Sequence, residues 1–383
     1  MNTKNFFKEK RTWSYYKDAL LERYLKIYFQ KILTSKYNTV YIDGFAGKGR
    51  FDDGTDGSPV IVSKIIQDAK LKTHGQGQIA SYFIEYKYAR ELEKHIDPQC
   101  VVSGDYKVEL PKIIDTLKNS NVFLYADPFG IKHLKFDVFS KLKSNNINSA
   151  EMLLNFNSFG FLREGCRLLK IKQTEITDVY DADEDIKDNV NSIDNMNCIA
   201  NGEYWIELLN DYKLKVCDMK EIETLFVEKY TMQLRKIFKF VVNIPIRTGE
   251  NNIPKYRMIY GTNYIDGILL MSDIMFKCDK EIQLSNNGNQ HSLFDYMDRF
   301  NCIDDILHCL PHNFLGIKEL CLKIYNEIGV KYSHEEIQDS LKQLEKRGQI
   351  VVRRTPSTTK TGKKVKALSI MNKEYVIEVR SIE

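Results

Sequence analysis

Val40-Tyr41-Ile42-Asp43-Gly44-Phe45-Ala46-Gly47-Lys48-Gly49 is the stretch on which the fold turns. Three apolar residues run into a carboxylate, and three glycines within the next six positions let the chain bend sharply and bring backbone amides close to a ligand. The pattern is a buried strand followed by a binding turn. Short apolar runs recur around it at Thr39 to Asp43, Ile79 to Glu85, Cys100 to Ser103, Asn121 to Asp127 and Glu151 to Phe156, separated by helical or turn-rich stretches. That alternation predicts a parallel α/β sheet. From Thr12 to Leu33, Trp13, Tyr16, Leu20, Tyr24 and Tyr28 recur at helical spacing, so a helix precedes the sheet. Phe240 to Arg247 and Tyr256 to Thr262, joined by the turn-forming Thr248 to Asn252, read as an antiparallel pair closing its edge. The expected architecture is a doubly wound, Rossmann-like sheet with a terminal hairpin.

The 383 residues, 43% hydrophobic and 28% charged with 20 Gly and 8 Pro, suffice for a sizeable core and fit neither general disorder nor a fibrous repeat. No apolar run approaches the roughly 18 to 20 residues of a spanning helix, and Met1-Asn2-Thr3-Lys4-Asn5 leads into charges. A cytoplasmic protein without membrane contact is expected. The eight scattered Cys fit a compartment where thiols stay reduced. Cys302, Cys309, His312 and Cys321 lack metal-ligand spacing and read as buried thiols, so no metal site is expected. The seven His carry no Ser or Cys nucleophile signature, which leaves hydrolase chemistry without support.

Residues 1–284 read as the α/β domain, with an acidic, strand-free insertion at about 172–202 over one sheet face. Ser285 to Gln290, composed almost wholly of turn formers, opens a linker at 285–310. In 311–383, Ile317 to Ile328 and His334 to Arg347 read as helices, the second capped by Ser333. Ile350 to Val352 and Ala367 to Ile370 read as strands around a basic turn, the pattern of a winged helix. The net charge of +4 is concentrated here: residues from Pro311 onward hold 14 Lys plus Arg against 9 Asp plus Glu. Arg353, Arg354, Lys360, Lys363, Lys364 and Lys366, with no acid between them, suit phosphate or a solvated hairpin.

The glycine turn lacks the Gly-Lys-Ser/Thr ending of a triphosphate loop. It also runs on through Asp52, Asp53 and Asp56, which oppose a pyrophosphate, before a helix opens at Ser58-Pro59. Asp43, Glu85, Asp105 and Asp127 stand at the ends of successive strands. Glu85 there suits two ribose hydroxyls, Asp105 an exocyclic amine, and the set as a whole a ligand with hydroxyls, an amino group and positive charge. S-adenosylmethionine has all three. Phe129 and Phe159 are candidate rings for stacking a base.

The segment Asp43 to Gly49 resembles the glycine-rich first motif of class I S-adenosylmethionine-dependent methyltransferases, and implies cofactor contacts from Asp43, Gly44, Phe45, Gly47 and Gly49. Asp127-Pro128-Phe129 is similar to the Asp-Pro-Pro-Tyr motif of amino-methyltransferases, which implies a catalytic role for these three residues. Phe129 takes the second proline's place, and Gly130 stands where the aromatic would be. Trp13 to Tyr28, Tyr41 to Gly47, Gly57-Ser58-Pro59, Asp127 to Gly130, Asn155-Phe156 and Tyr256 to Asn263 with Met271 resemble the three-Cys-motif partner proteins. That resemblance implies a methyltransferase-like protein working with a separate radical-S-adenosylmethionine-like partner. With the basic tail, the expectation is action on nucleic acid, DNA ahead of RNA, the rival being a non-catalytic DNA-binding or scaffolding subunit.

Overall fold

The structure, a computed structural model, describes residues 10, 12–72, 78–172, 190, 192–246, 253–254, 256–286 and 294–382. The chain divides into two compact units, Met1–Asn263 and Tyr264–Glu383.

In the first unit α1 (Thr12–Ile32) leads into β1 (Thr39–Asp43), α2 (Ser58–Lys72), β2 (Ile79–Glu85), the short α3 (Ala89–Leu92) and β3 (Val101–Ser103). Next come α4 (Tyr106–Thr116), β4 (Ser120–Ala126), the short α5 (Phe136–Ser140) and β5 (Ile147–Phe156). Helices α6 (Ser158–Leu168), α7 (Ile193–Ala200), α8 (Tyr204–Lys213) and α9 (Met219–Leu234) precede β6 (Phe240–Ile246) and β7 (Tyr256–Thr262). The seven strands form one sheet in the order β3-β2-β1-β4-β5-β7-β6. It is parallel from β3 to β5, with β7 reversed between β5 and β6. Strand order therefore turns back between β1 and β4, the place where a doubly wound sheet opens a crevice at its carboxyl ends.

Both β1 and β4 are buried at every position, which is why they read as unbroken apolar runs instead of alternating ones. Val40, Ile42, Val122, Leu124, Met152 and Leu154 point to one face, where they pack with residues of α4, α5, α6, α8 and α9. On the other, Phe123 meets Tyr24 and Tyr28 of α1 at ring-centroid distances of 5.8 and 5.4 Å. Tyr24 and Tyr260 donate their hydroxyls to the buried Glu151 at 2.7 and 2.8 Å, which fixes α1 across the sheet. Of the acidic insertion, 173–189 and 191 lie outside the described residues. Its end forms α7, whose Met196, Ile199 and Ala200 enter the core. The expected hairpin turn, 248–252 with Arg247, also lies outside them.

The second unit holds α10 (Ile265–Asn286), α11 (Phe294–Cys309), β8 (Leu315–Gly316), α12 (Ile317–Ile328), α13 (His334–Lys346), β9 (Ile350–Thr355) and β10 (Val376–Ser381). Its sheet has the order β8-β10-β9, antiparallel throughout. Ser333 caps α13 in a reciprocal box with Glu336. Three expectations need correcting here. The division falls at 263/264 and not at 284/285, because α10 is tied to the elements that follow it. Asp266 pairs with Lys318 at 2.6 Å, Asp273 accepts the His334 amide at 2.9 Å, and Lys280 reaches Glu336 at 3.0 Å. The expected linker 285–310 contains α11, whose Cys302, Ile303 and Ile306 are buried. Ala367 to Ile370 is not a strand: Leu368 and Ile370 fill the core, and the Ile370 amide donates to the Gln338 side chain at 2.8 Å. The partner of β9 is β10, where Ile377 and Val379 are buried at alternate positions. Among the described residues no helix is long and apolar enough to cross a membrane.

Candidate functional site

At the carboxyl ends of β1 and β4 lies a cleft of about 800 Å³, counting the space that opens to solvent. It has three walls: Trp13, Ser14, Lys17 and Asp18 of α1; Phe45 to Phe51 with Gly57 and Ser58; and Asp127 to Gly130 with Asn155 and Tyr256.

The glycine turn is shaped from beneath by Asp43. Its fully buried carboxyl accepts the Phe45 amide at 3.0 Å and the Ser58 hydroxyl at 3.4 Å, and burial pushes its pKa up to about 8. Asp43 is thus a neutral brace under the loop at physiological pH. Gly47 and Gly49 adopt left-handed φ values of 68° and 83°, which any side chain would strain. At Gly44 a Cβ would fall 2.7 Å from the Tyr106 ring, so only glycine allows that approach. Glu85 accepts the Gly47 amide at 2.8 Å through one oxygen and the Lys87 and Tyr88 amides at 2.8 and 3.0 Å through the other. Three of about four acceptor positions on that carboxylate are engaged, leaving capacity for one hydroxyl where two were expected. Asp105 caps α4 by accepting the Lys107 amide at 2.9 Å.

Of the residues singled out in the sequence, Phe45, Gly47, Gly49, Asp127, Pro128 and Phe129 line the cleft, while Asp43, Gly44, Glu85 and Asp105 stand behind or beside it. The Phe45 ring packs on Tyr106 at 4.6 Å and lies 6.2 Å from His133. Burial, with Lys107 and Lys132 nearby, pushes His133 down to about 4, so it is neutral. Phe159 is only 4% exposed and belongs to the core; it offers no face for a base.

Sequence reasoning missed the groups that hold Asp127. Lys17 Nζ lies 2.6 Å from Asp127 Oδ2, the Tyr125 hydroxyl donates to the same oxygen at 3.3 Å, and Asn155 Nδ2 donates to Oδ1 at 2.7 Å. Beside them Asp18 pairs with Lys10 at 2.6 Å; burial raises its pKa to about 6, with Lys10 and Lys17 opposing the rise. The signal was present: Ser14, Lys17 and Asp18 fall at i, i+3 and i+4 on α1 and are buried, a polar break on one helix face.

In the second unit, Lys360, Lys363, Lys364 and Lys366 are exposed in the segment between β9 and β10, with no ion pair among the described residues. Arg353 is exposed, 3.5 Å from Glu378 and 3.9 Å over the Phe314 ring. Arg354 departs from expectation. Its guanidinium makes two 2.8 Å bonds to Glu345 and another to the Ala367 carbonyl, and with 7% of the side chain exposed it is a structural residue. Cys302, Cys309 and Cys321 are buried, which pushes their thiols up to about 11, 12 and 12. No family model matches the chain, and no curated protein matches it.

Proposed function

We propose that the chain is an S-adenosylmethionine-dependent methyltransferase-like protein acting on nucleic acid, with a C-terminal winged helix that meets phosphate. The observation that carries this reading is the composition of the cleft. Trp13, Phe45, Phe51, Phe129 and Tyr256 stand around it together with the carboxylates of Asp18 and Asp127. Aromatic faces beside carboxylates favour a weakly hydrated cation, and a sulfonium is one. The sheet order, with a single reversed strand between β5 and β6, supports the fold implied by the glycine-rich motif.

The residues suit the cofactor. Its sulfonium fits the aromatic faces beside Asp18 and Asp127 in a cleft that Lys17, Lys48 and Arg50 also line, and Glu85 retains acceptor capacity for one ribose hydroxyl. When bound, it supplies an electrophilic methyl group. The protein's part is then alignment and exclusion of water, since a sulfonium needs little acid or base assistance. Asp127, held on both oxygens by Lys17, Tyr125 and Asn155, is a rigid acceptor for orienting a nucleophile, and Phe129 forms the wall beside it. Calorimetry with S-adenosylmethionine tests the assignment: heat of binding is expected, and its absence would overturn it.

A second reading is favoured by one observation: Asp127 already has partners on both oxygens. In that reading the protein is a non-catalytic, DNA-binding or scaffolding subunit of a three-Cys-motif, radical-S-adenosylmethionine-like partner. It predicts no cofactor heat and intact nucleic-acid binding.

The run α11-β8-α12-α13-β9, exposed lysines, β10 supports the winged-helix reading of the second unit. Lys342 and Lys346, exposed on the C-terminal half of α13, and Arg347 just after it add to its charge. Replacing Lys360, Lys363, Lys364 and Lys366 together by Gln is expected to weaken duplex DNA binding. Where each meets a phosphate, the slope of log affinity against log salt falls by about 3–4. Arg354→Gln should lower the melting temperature instead. An unchanged slope in the quadruple variant would remove the lysines from the interface.

A further inference from the structure

The amide of Asn155 has its orientation set by a neighbour. Nδ2 donates to the carboxylate of Asp127 at 2.7 Å; turning the amide over would set Oδ1 against that carboxylate, oxygen to oxygen. Oδ1 therefore faces away, and it is buried with no hydrogen-bond partner. Asn155 is 3% exposed and lines the cleft. A buried acceptor left unpaired is a standing cost that a donor arriving with a ligand would remove. Lys17 is not that donor, because its Nζ lies on the other oxygen of Asp127, at 2.6 Å.

We propose that Asn155 Oδ1 is a specificity-determining acceptor for an amino group of the ligand, which enters the cleft beside the Asn155–Asp127 pair. The amide oxygen and the carboxylate to which the same amide is bonded are both acceptors, and a group with two or more N–H donors can serve both where a hydroxyl has one. The environment already holds such a group in Lys17, whose ammonium also stands 5.9 Å from the centre of the Tyr256 ring. Because Oδ1 is buried on a residue that lines the cleft, the amino group reaches it only when the floor opens slightly. This inference rests on the cleft being a ligand site, as proposed above, and not on the identity of the cofactor. The amino group is either the exocyclic amine of a base or the α-ammonium of the cofactor.

The full chain is titrated calorimetrically with adenosine, purine riboside, S-adenosylmethionine and 5′-methylthioadenosine, as wild type and as Asn155→Ala. In at least one pair the amino-bearing member is expected to bind about tenfold tighter than its counterpart, and Asn155→Ala to erase most of that ratio by weakening the amino-bearing member alone. A ratio lost between adenosine and purine riboside identifies the base amine. A ratio lost between S-adenosylmethionine and methylthioadenosine identifies the α-ammonium. Ratios that survive Asn155→Ala, or no binding of any of the four, overturn the proposal. Should the variant not fold, equal affinities within both pairs for the wild type overturn it equally. S-adenosylmethionine failing to bind while the adenosine pair responds to Asn155→Ala removes the cofactor assignment and leaves this inference standing. Cofactor binding with both ratios indifferent to Asn155 does the reverse.

Discussion

Glu223→Ala is expected to lower the stability of the first unit by about 3–5 kcal/mol, because it strands a cation that cannot lose its proton. Glu223 is fully buried, and the Arg257 side chain is 9% exposed. The guanidinium grips the carboxylate through Nε at 2.9 Å and Nη2 at 2.5 Å, and its Nη1 donates to Asn243 at 3.0 Å. The Ser158 hydroxyl donates to the same carboxylate at 2.6 Å. Removing the acid leaves all of that positive charge in a low-dielectric surround. Arg257→Met is expected to cost a comparable amount, through an uncompensated carboxylate. The double replacement Glu223→Leu with Arg257→Met should be milder than either single one, since desolvating the pair offsets much of its Coulombic gain. Urea denaturation of the three variants measures this. A double variant as damaged as the sum of the singles would show that the two residues act independently. The pair bears on the site as well: Arg257 follows Tyr256, and Ser158 opens α6 just after Asn155 and Phe156, so the clamp fixes the wall of the cleft from behind.

Strand bounds were legible in the sequence where both faces of the sheet are covered. Thr39 to Asp43 and Tyr256 to Thr262 match the observed strands residue for residue, because buried parallel or central strands leave unbroken apolar runs; Ile79 to Glu85 matches as well, although Ala80 is exposed. The same cue misled at Ala367 to Ile370, where apolar residues fill a core without entering a ladder. Apolarity reports burial; pairing depends on what runs alongside. The domain boundary was misplaced for a related reason. Turn formers at Ser285 to Gln290 mark a break in regular structure, but the ties that assign α10 to the second unit join residues about 50 to 60 positions apart, such as Asp266 to Lys318 and Asp273 to His334. In the cleft, the strand-end acids were found, yet their roles diverged, since a carboxylate's function depends on which donors reach it. Glu85 collects three backbone amides, whereas Asp127 collects side chains from α1, β4 and β5. Lys17 went unread because a single cation on a largely apolar helix face looks like a solvated residue until its partner, 110 positions away, is in view.

Asp43→Asn is expected to make the protein more stable than wild type above about pH 4, with the advantage growing up to about pH 8. The sign follows from proton binding. Burial holds the folded-state pKa of Asp43 at about 8, while an unfolded aspartate titrates near 3.9. A group whose pKa is raised by folding contributes its full stability below the unfolded value and loses it as pH climbs to the folded one. Across that window the loss is on the order of 5 kcal/mol for an interval of this size, at 1.36 kcal/mol per unit. Asparagine matches the protonated carboxyl in shape and does not titrate. It keeps an oxygen for the Phe45 amide and gains an N–H toward Ser58, so the brace under the glycine turn survives. Asp18, with its pKa at about 6, produces a smaller loss of the same sign between about pH 4 and 6. Both proteins retain it, so the difference between their stability curves isolates Asp43. Chemical denaturation from pH 4 to 9 should give curves that meet at the acid end and separate steadily above it. Parallel curves would mean that Asp43 is ionised in the folded protein. Its charge would then be part of the cleft's field, and the same substitution would weaken binding of a cationic ligand instead of sparing it.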